Sequence, residues 1–142
     1  MDIFNILVVC TGNSCRSQIA EGYLKFFKNN LNISANIYSA GVRAEGVNKR
    51  AIEIMSKDNI DISNHSSNTI DEYLNKEITH VITVCDHANE SCPVFLKKTH
   101  FTHHNFIDPS KVKGGELEIE EAFIKCRNEI KTFSERYLKN HF

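Results

Sequence analysis

Near its start the chain carries Ile6, Leu7, Val8 and Val9 without a polar break, with Ile3 and Phe4 just before them. A short continuous apolar run bounded by turn formers predicts a strand buried on both faces. The tract Cys10-Thr-Gly-Asn-Ser-Cys-Arg-Ser17 ends that run, and beyond it the period changes. Ile19, Tyr23 and Phe27 recur on one helical face, flanked by Ala20 and Leu24, so a helix is expected to run to Asn29 or Asn30. Strand character returns over residues 36–40 and closes at Gly41. Val47, Ala51 and Met55, widened by Ile52 and Ile54, predict a second helix. Residues 56–78 alternate turn formers with short apolar pieces, of which Ile70 to Leu74 predicts a short helix. Val81 to Val84 predicts the third strand, delivering Cys85 at its end. A polar run from Asp86 to Glu90 follows, and Pro93 bounds any helix begun near His87. A weaker strand around His100 to Thr102 leads through Phe106 and Ile107 to Asp108-Pro109. The last helix is the clearest, with Ile119, Phe123, Cys126, Ile130, Phe133 and Tyr137 in helical spacing. Its acidic first turns (Glu116, Glu118, Glu120, Glu121) and basic end (Lys131, Arg136, Lys139) suit the helix dipole.

Strands alternating with helices predict an α/β fold around a parallel sheet, four-stranded by this reading. At 142 residues the chain is expected to form one domain over 1–142 with a full core. A formal charge of −1 gives no reason to expect nucleic acid or an anionic membrane as partner. No apolar run approaches the ~20 residues that span a bilayer, and the start lacks signal-peptide character. Five cysteines, an odd number without framework spacing, suit thiols doing chemistry in a reducing cytoplasm.

Chemistry concentrates at 10–17. A strand that turns tightly into a helix leaves backbone N–H groups unpaired beside the positive end of the dipole, which is an anion site. Gly12 is expected to adopt backbone angles closed to other residues, and Asn13 tolerates the left-handed region. Cys10 at the mouth of this loop would ionise readily beside a helix start and a cation. Arg16 offers a planar fork for two oxygens of a tetrahedral oxyanion, and Ser17 a hydroxyl for the thiolate. Cys10, Ser39 and Cys85 each end a predicted strand and Asp108 follows the fourth. Ligands of open parallel sheets bind along that edge.

Elsewhere the readings are plainer. Cys85 and Cys92 are too far apart in sequence for a zinc pair, and by themselves read as two buried thiols. Asp108-Pro109 is a turn opener or a site carboxylate. His100, His103 and His104 alternate faces on an extended segment and read as solvated. Cys126 reads as packing.

The stretch Cys10 to Ser17 resembles the phosphate loop of the low-molecular-weight protein tyrosine phosphatases. It is closer still to the thioredoxin-coupled arsenate reductases built on that fold. The resemblance runs through nearly the whole chain, including residues 60–71, and implies a three-layer sandwich with strand order 2-1-3-4. It implies Cys10 as nucleophile, with Arg16 and the loop amides of Thr11, Gly12, Asn13, Ser14 and Cys15 holding the oxyanion. Ser17 would steady the thiolate, Ser39 would hold Asn13, and Asp108 would act as general acid. Cys85, separated by six residues from Cys92-Pro93, resembles the redox pair of the reductases. The expected function is arsenate reduction through a Cys10, Cys85 and Cys92 relay, with phosphate as competing anion and thioredoxin as reductant. No cofactor is expected, and a monomer is. A phosphatase using a Cys10 phosphoenzyme and a non-catalytic oxyanion-binding module are the competing readings. Ser110-Lys111 stands where the phosphatases carry tyrosines, which argues against phosphotyrosine. Cys15 is either a bystander or a protective partner of Cys10. Several reductases bind potassium near positions matching Asn13, Glu21, Ser39 and Asn68. The Asn replaces an Asp, so only weak potassium binding is expected.

Overall fold

Ile6, Leu7, Val8 and Val9 are wholly buried, and because neighbouring strand residues face opposite ways, both faces of their strand are covered. They lie in β1 (Phe4–Cys10) of a computed structural model that describes residues 3–142. The other elements are α1 (Arg16–Asn30), β2 (Ala35–Gly41), α2 (Lys49–Ser56), β3 (His80–Thr83), α3 (Asp86–Ser91), β4 (His100–His103) and α4 (Glu116–His141). The four strands form one parallel sheet in the order β2-β1-β3-β4, as the resemblance implied. Cys10 pairs with Gly41, while Val9 lies opposite Thr83 and Thr83 opposite His103. The strands therefore end level, and their C-terminal ends form one edge. Among the described residues no helix is long and apolar enough to cross a membrane.

Several boundaries differ from the sequence expectation. Val47 lies outside α2, because the Asn48 side chain accepts from the N–H groups of Arg50 and Ala51 and starts the helix there. Residues 70–73 form a single 3₁₀ turn held by a Thr69–Glu72 capping box. β3 stops at Thr83 rather than at Cys85, and Cys85 is instead the N-cap of α3. On the helical side, Asp58 ties three pieces together. It accepts from Tyr23 Oη at 2.7 Å and Lys131 Nζ at 2.8 Å, so α1, the end of α2 and α4 share one carboxylate. Those two bonds hold the Asp58 carboxyl below its usual range, Lys131 contributing most.

Opposite the C-terminal edge, His80 packs in a ring cluster with Phe4, His100, His141 and Phe142. Burial, helped by His100 and His141, pulls its pKa from 6.5 down to about 4. The unfolded chain then binds a proton more readily than the folded one. The neutral ring's contribution is complete above pH 6.5 and is lost as the pH falls towards about 4. It amounts to at most about 3 kcal/mol. Melting temperature should fall across that window, and His80→Phe should flatten the slope; an unchanged slope would exclude His80 as its source.

Candidate active site

Residues 10–16 wrap around a cavity of about 680 Å³ whose walls include Cys10, Arg16, Cys85, Asp86 and Asp108. The loop is held from outside. Its carbonyls at Cys10, Thr11, Gly12 and Ser14 accept from the N–H groups of Val42, Arg43, Glu45 and Asn48. The Asn13 carbonyl accepts from Gln18 Nε2 and Ser67 Oγ. With the carbonyl edge occupied, the N–H edge is left for an anion, beside the start of α1, whose first turn carries no acidic residue.

Asn13 takes the left-handed conformation, with φ 46°. Gly12 does not, which corrects the sequence expectation. Its lack of a side chain makes room instead, since a Cβ there would lie 2.6 Å from Glu45 Oε1. The stricter glycine is Gly41. A Cβ at that position would fall 2.6 Å from Asn13 N and 2.8 Å from Thr11 O, and closer still to Arg43 O. All three are backbone atoms, so none can swing aside. Gly41→Ala should push the loop out of shape, weakening competition by phosphate for the site at least tenfold and costing about 1–3 kcal/mol of stability. Unchanged phosphate affinity would show that the loop tolerates the displacement.

Inside the loop the hydrogen bonds have one direction. Asn68 N–H donates to Asn13 Oδ1 at 2.7 Å, which fixes the amide's orientation. Asn13 Nδ2 then donates to Ser17 Oγ at 2.8 Å and to Ser39 Oγ at 2.9 Å. Ser17 Oγ lies 2.9 Å from Cys10 Sγ, and an ionised Cys10 can only accept, so Ser17 donates to the thiolate. Arg16 spends one N–H on the Phe106 carbonyl at 2.9 Å and approaches Asp108 Oδ2 at 3.4 Å. A guanidinium has five N–H donors, so three remain for an oxyanion.

Asp108 is anchored by the turn it opens. Its Oδ1 accepts from Ser110 N at 3.0 Å and Ser110 Oγ at 2.6 Å, and Pro109 starts a 3₁₀ turn. The second oxygen faces the cavity side, beside Arg16.

Cys85 enters the same cavity from across the sheet edge. Its sulfur lies 3.2 Å from Thr11 Oγ1 and accepts from Ala88 N–H at 3.4 Å. Cys92 caps the other end of α3 and is buried. Burial raises the Cys92 thiol's pKa, against a smaller opposing effect of Lys97. Cys15 and Cys126 are raised more strongly, again by burial first, Cys126 to about 12. Burial thus favours the protonated form of both thiols, and Cys126 is buried on α4, in accord with a packing role.

His100 is exposed, as expected of the three histidines. His103 is not simply solvated. It bridges Thr83 Oγ1 and Asp86 Oδ1, each at 2.7 Å, and so ties β3 to the first turn of α3. The cluster around Glu21 is closed by its own hydrogen bonds. Asn68 spends its side chain on Ser66 and Glu72. Glu21 accepts from Ser39 Oγ and from Lys25 Nζ, each at 2.5 Å. The oxygens that a potassium ion would need are taken, and an ammonium stands beside the carboxylate. These residues do not fit the ion.

Sequence reasoning missed Lys25, Gln18, Glu45 and Ser67 as loop supports. Only the Glu21–Lys25 spacing of four carried a visible signal.

A cysteine and an arginine closing a strand–loop–helix anion cradle at the edge of a parallel sheet define a thiol-based phosphatase type of site. The chain belongs to the low molecular weight phosphotyrosine protein phosphatase family, whose sequence profile matches residues 5–140. It is 42% identical over 137 residues to arsenate reductase 1 of Staphylococcus saprophyticus, covering 96% of this chain and 98% of that one. It is 42% identical over 134 residues to the arsenate reductase of Halalkalibacterium halodurans, covering 92% and 94%. Among solved structures, an arsenate reductase in the phosphate binding state matches with TM-score 0.78 at 24% identity, over 97% of this chain and 98% of that one. The low molecular weight protein tyrosine phosphatase from T. tengcongensis matches with TM-score 0.80 at 25% identity, over 96% and 99%.

Proposed function

We propose that this chain reduces arsenate to arsenite and that thioredoxin regenerates it in the cytoplasm. Cys10 attacks arsenic(V) held by the loop amides and Arg16, and Asp108 protonates the departing oxygen, which leaves as water. Cys85 then attacks the Cys10 sulfur. The sulfur–sulfur bond forms, the sulfur–arsenic bond breaks, and its electron pair stays on arsenic as arsenite. Cys92 attacks Cys85, freeing Cys10, and a dithiol reductant reduces the Cys85–Cys92 disulfide.

The observation that carries this reading is the 3.2 Å contact between Cys85 Sγ and Thr11 Oγ1. A thiol from beyond β3 lies against the phosphate loop, where a phosphatase has no need of one. The names of the relatives agree with it. The family also favours hydrolysis of phosphoesters by the same Cys10, but the turn after Asp108 offers Ser110 and Lys111 and no aromatic side chain to an aromatic ester. NADPH consumption with thioredoxin, its reductase and arsenate should be sustained, and p-nitrophenyl phosphate hydrolysis slow. Fast hydrolysis without arsenate-dependent NADPH consumption would favour the phosphatase, and neither activity would leave an anion-binding module.

A further inference from the structure

The hydrogen bonds that point Ser17 at Cys10 do not end at Ser39. Ser39 Oγ accepts from Asn13, so its proton goes to Glu21 Oε1, 2.5 Å away. A carboxylate can only accept, so Ser39 donates to Glu21; the Asn13 amide, oriented by Asn68 N–H, donates to Ser39 and Ser17; and Cys10, once ionised, can only accept from Ser17. An anion therefore stands at each end when Cys10 is ionised. The remote one is buried, with about a tenth of the Glu21 side chain exposed. A buried carboxylate is costly unless a charge partner and hydrogen bonds compensate it.

Among the described residues, the only Lys or Arg nitrogen that contacts Glu21 belongs to Lys25, at 2.5 Å from Oε2. His65 turns Nε2 towards the same oxygen at 3.7 Å, beyond hydrogen-bond reach, while its Nδ1 is engaged with Gln18 Oε1. Lys25 follows Glu21 by one helical turn, so α1 itself holds the ammonium in place.

We propose that Lys25 is a positioning residue for Cys10. Its ammonium is the chain's own counter-cation on Glu21, and through Ser39, Asn13 and Ser17 it keeps a hydroxyl proton aimed at the Cys10 sulfur. An external metal cation is then unnecessary at this point, because α1 supplies the charge. Without Lys25, the Glu21 charge would stand uncompensated at the far end of the series and would oppose a second negative charge on Cys10. This rests on the reading of Cys10 as the nucleophile.

The test follows alkylation of Cys10 by iodoacetamide, mapped by peptide mass, which requires neither arsenate nor reductant. Failure of the arsenate reading would therefore leave this readout intact. The full chain is compared in potassium chloride and in choline chloride at equal ionic strength. Wild type should alkylate equally in both. Lys25→Met should slow by about threefold or more in choline, within the range that such networks transmit, and should recover in potassium as a small cation takes the vacated position. Lys25→Arg should stay near wild type. Lys139→Met, which removes an exposed pair of the same spacing in α4, controls for lost surface charge and should change nothing. If Lys25→Met fails to fold, Glu21→Gln takes its place. With the opposing charge gone, adding Lys25→Arg or Lys25→Gln to it should have no further effect on alkylation. Wild-type rates for Lys25→Met in choline, slowing that neither potassium nor arginine restores, or additive effects in the Glu21→Gln background would each overturn the proposal.

Discussion

A Cys92→Ser variant should release arsenite about once per chain and then stop, holding a Cys10–Cys85 disulfide that peptide mapping identifies. The wild-type relay needs Cys92 to reach Cys85, and the fold keeps them apart. They cap opposite ends of α3, and seven steps at 1.5 Å separate their Cα atoms by ~10 Å along the axis. A disulfide requires roughly 7 Å or less. The helix must therefore unwind before the pair can close. Burial also holds the Cys92 thiol protonated, so the same unwinding that shortens the gap also wets the attacking group. Little stands in the way. Of the helix's own residues only Ala88 is buried, and its first turn is tied by Asp86 N to Asn105 and by Asp86 to His103. Amide exchange over residues 86–91 should rise in the oxidised wild-type protein. Continued turnover by Cys92→Ser with thioredoxin would remove Cys92 from the relay, and unchanged exchange would remove the unwinding.

Asp108→Asn should slow formation of the arsenic adduct by about 10²–10⁴-fold, the usual contribution of a general acid. The amide can keep an oxygen towards Ser110 N–H, so the turn should survive. The variant has no proton to give to a departing oxygen. Arsenate binding should change little, because the loop amides and the rest of the Arg16 fork do not depend on Asp108. Single-turnover kinetics separate the two effects. A loss under about threefold, far below the range for general acids, would exclude Asp108 from the chemistry.

The strand–loop–helix around Cys10 was legible because its evidence is local. The change of hydrophobic period on either side of residues 10–17 marks the loop, and the residues within it name the chemistry. Strand order was legible only by resemblance, since it is decided by contacts between strands far apart in sequence. The 74-residue separation between Thr11 and Cys85 is the same case. Gly12 was misjudged because the pattern shows a glycine's presence and not whether freedom of angle or absence of bulk is used. His103 read as solvated because alternation on an edge strand says nothing of Asp86 arriving on the next helix. Lys25 left one local trace, its spacing from Glu21, but that spacing is common on exposed helices and says nothing of the burial that gives it weight here.

The most direct test of the central claim is the stoichiometry of a single turnover. Fully reduced protein is mixed with excess arsenate in the absence of any external reductant, and arsenite and free thiols are counted together. The account predicts about one arsenite per chain and two thiols lost with it, ending in a Cys85–Cys92 disulfide. Arsenate bound with every thiol retained and no arsenite formed would contradict it.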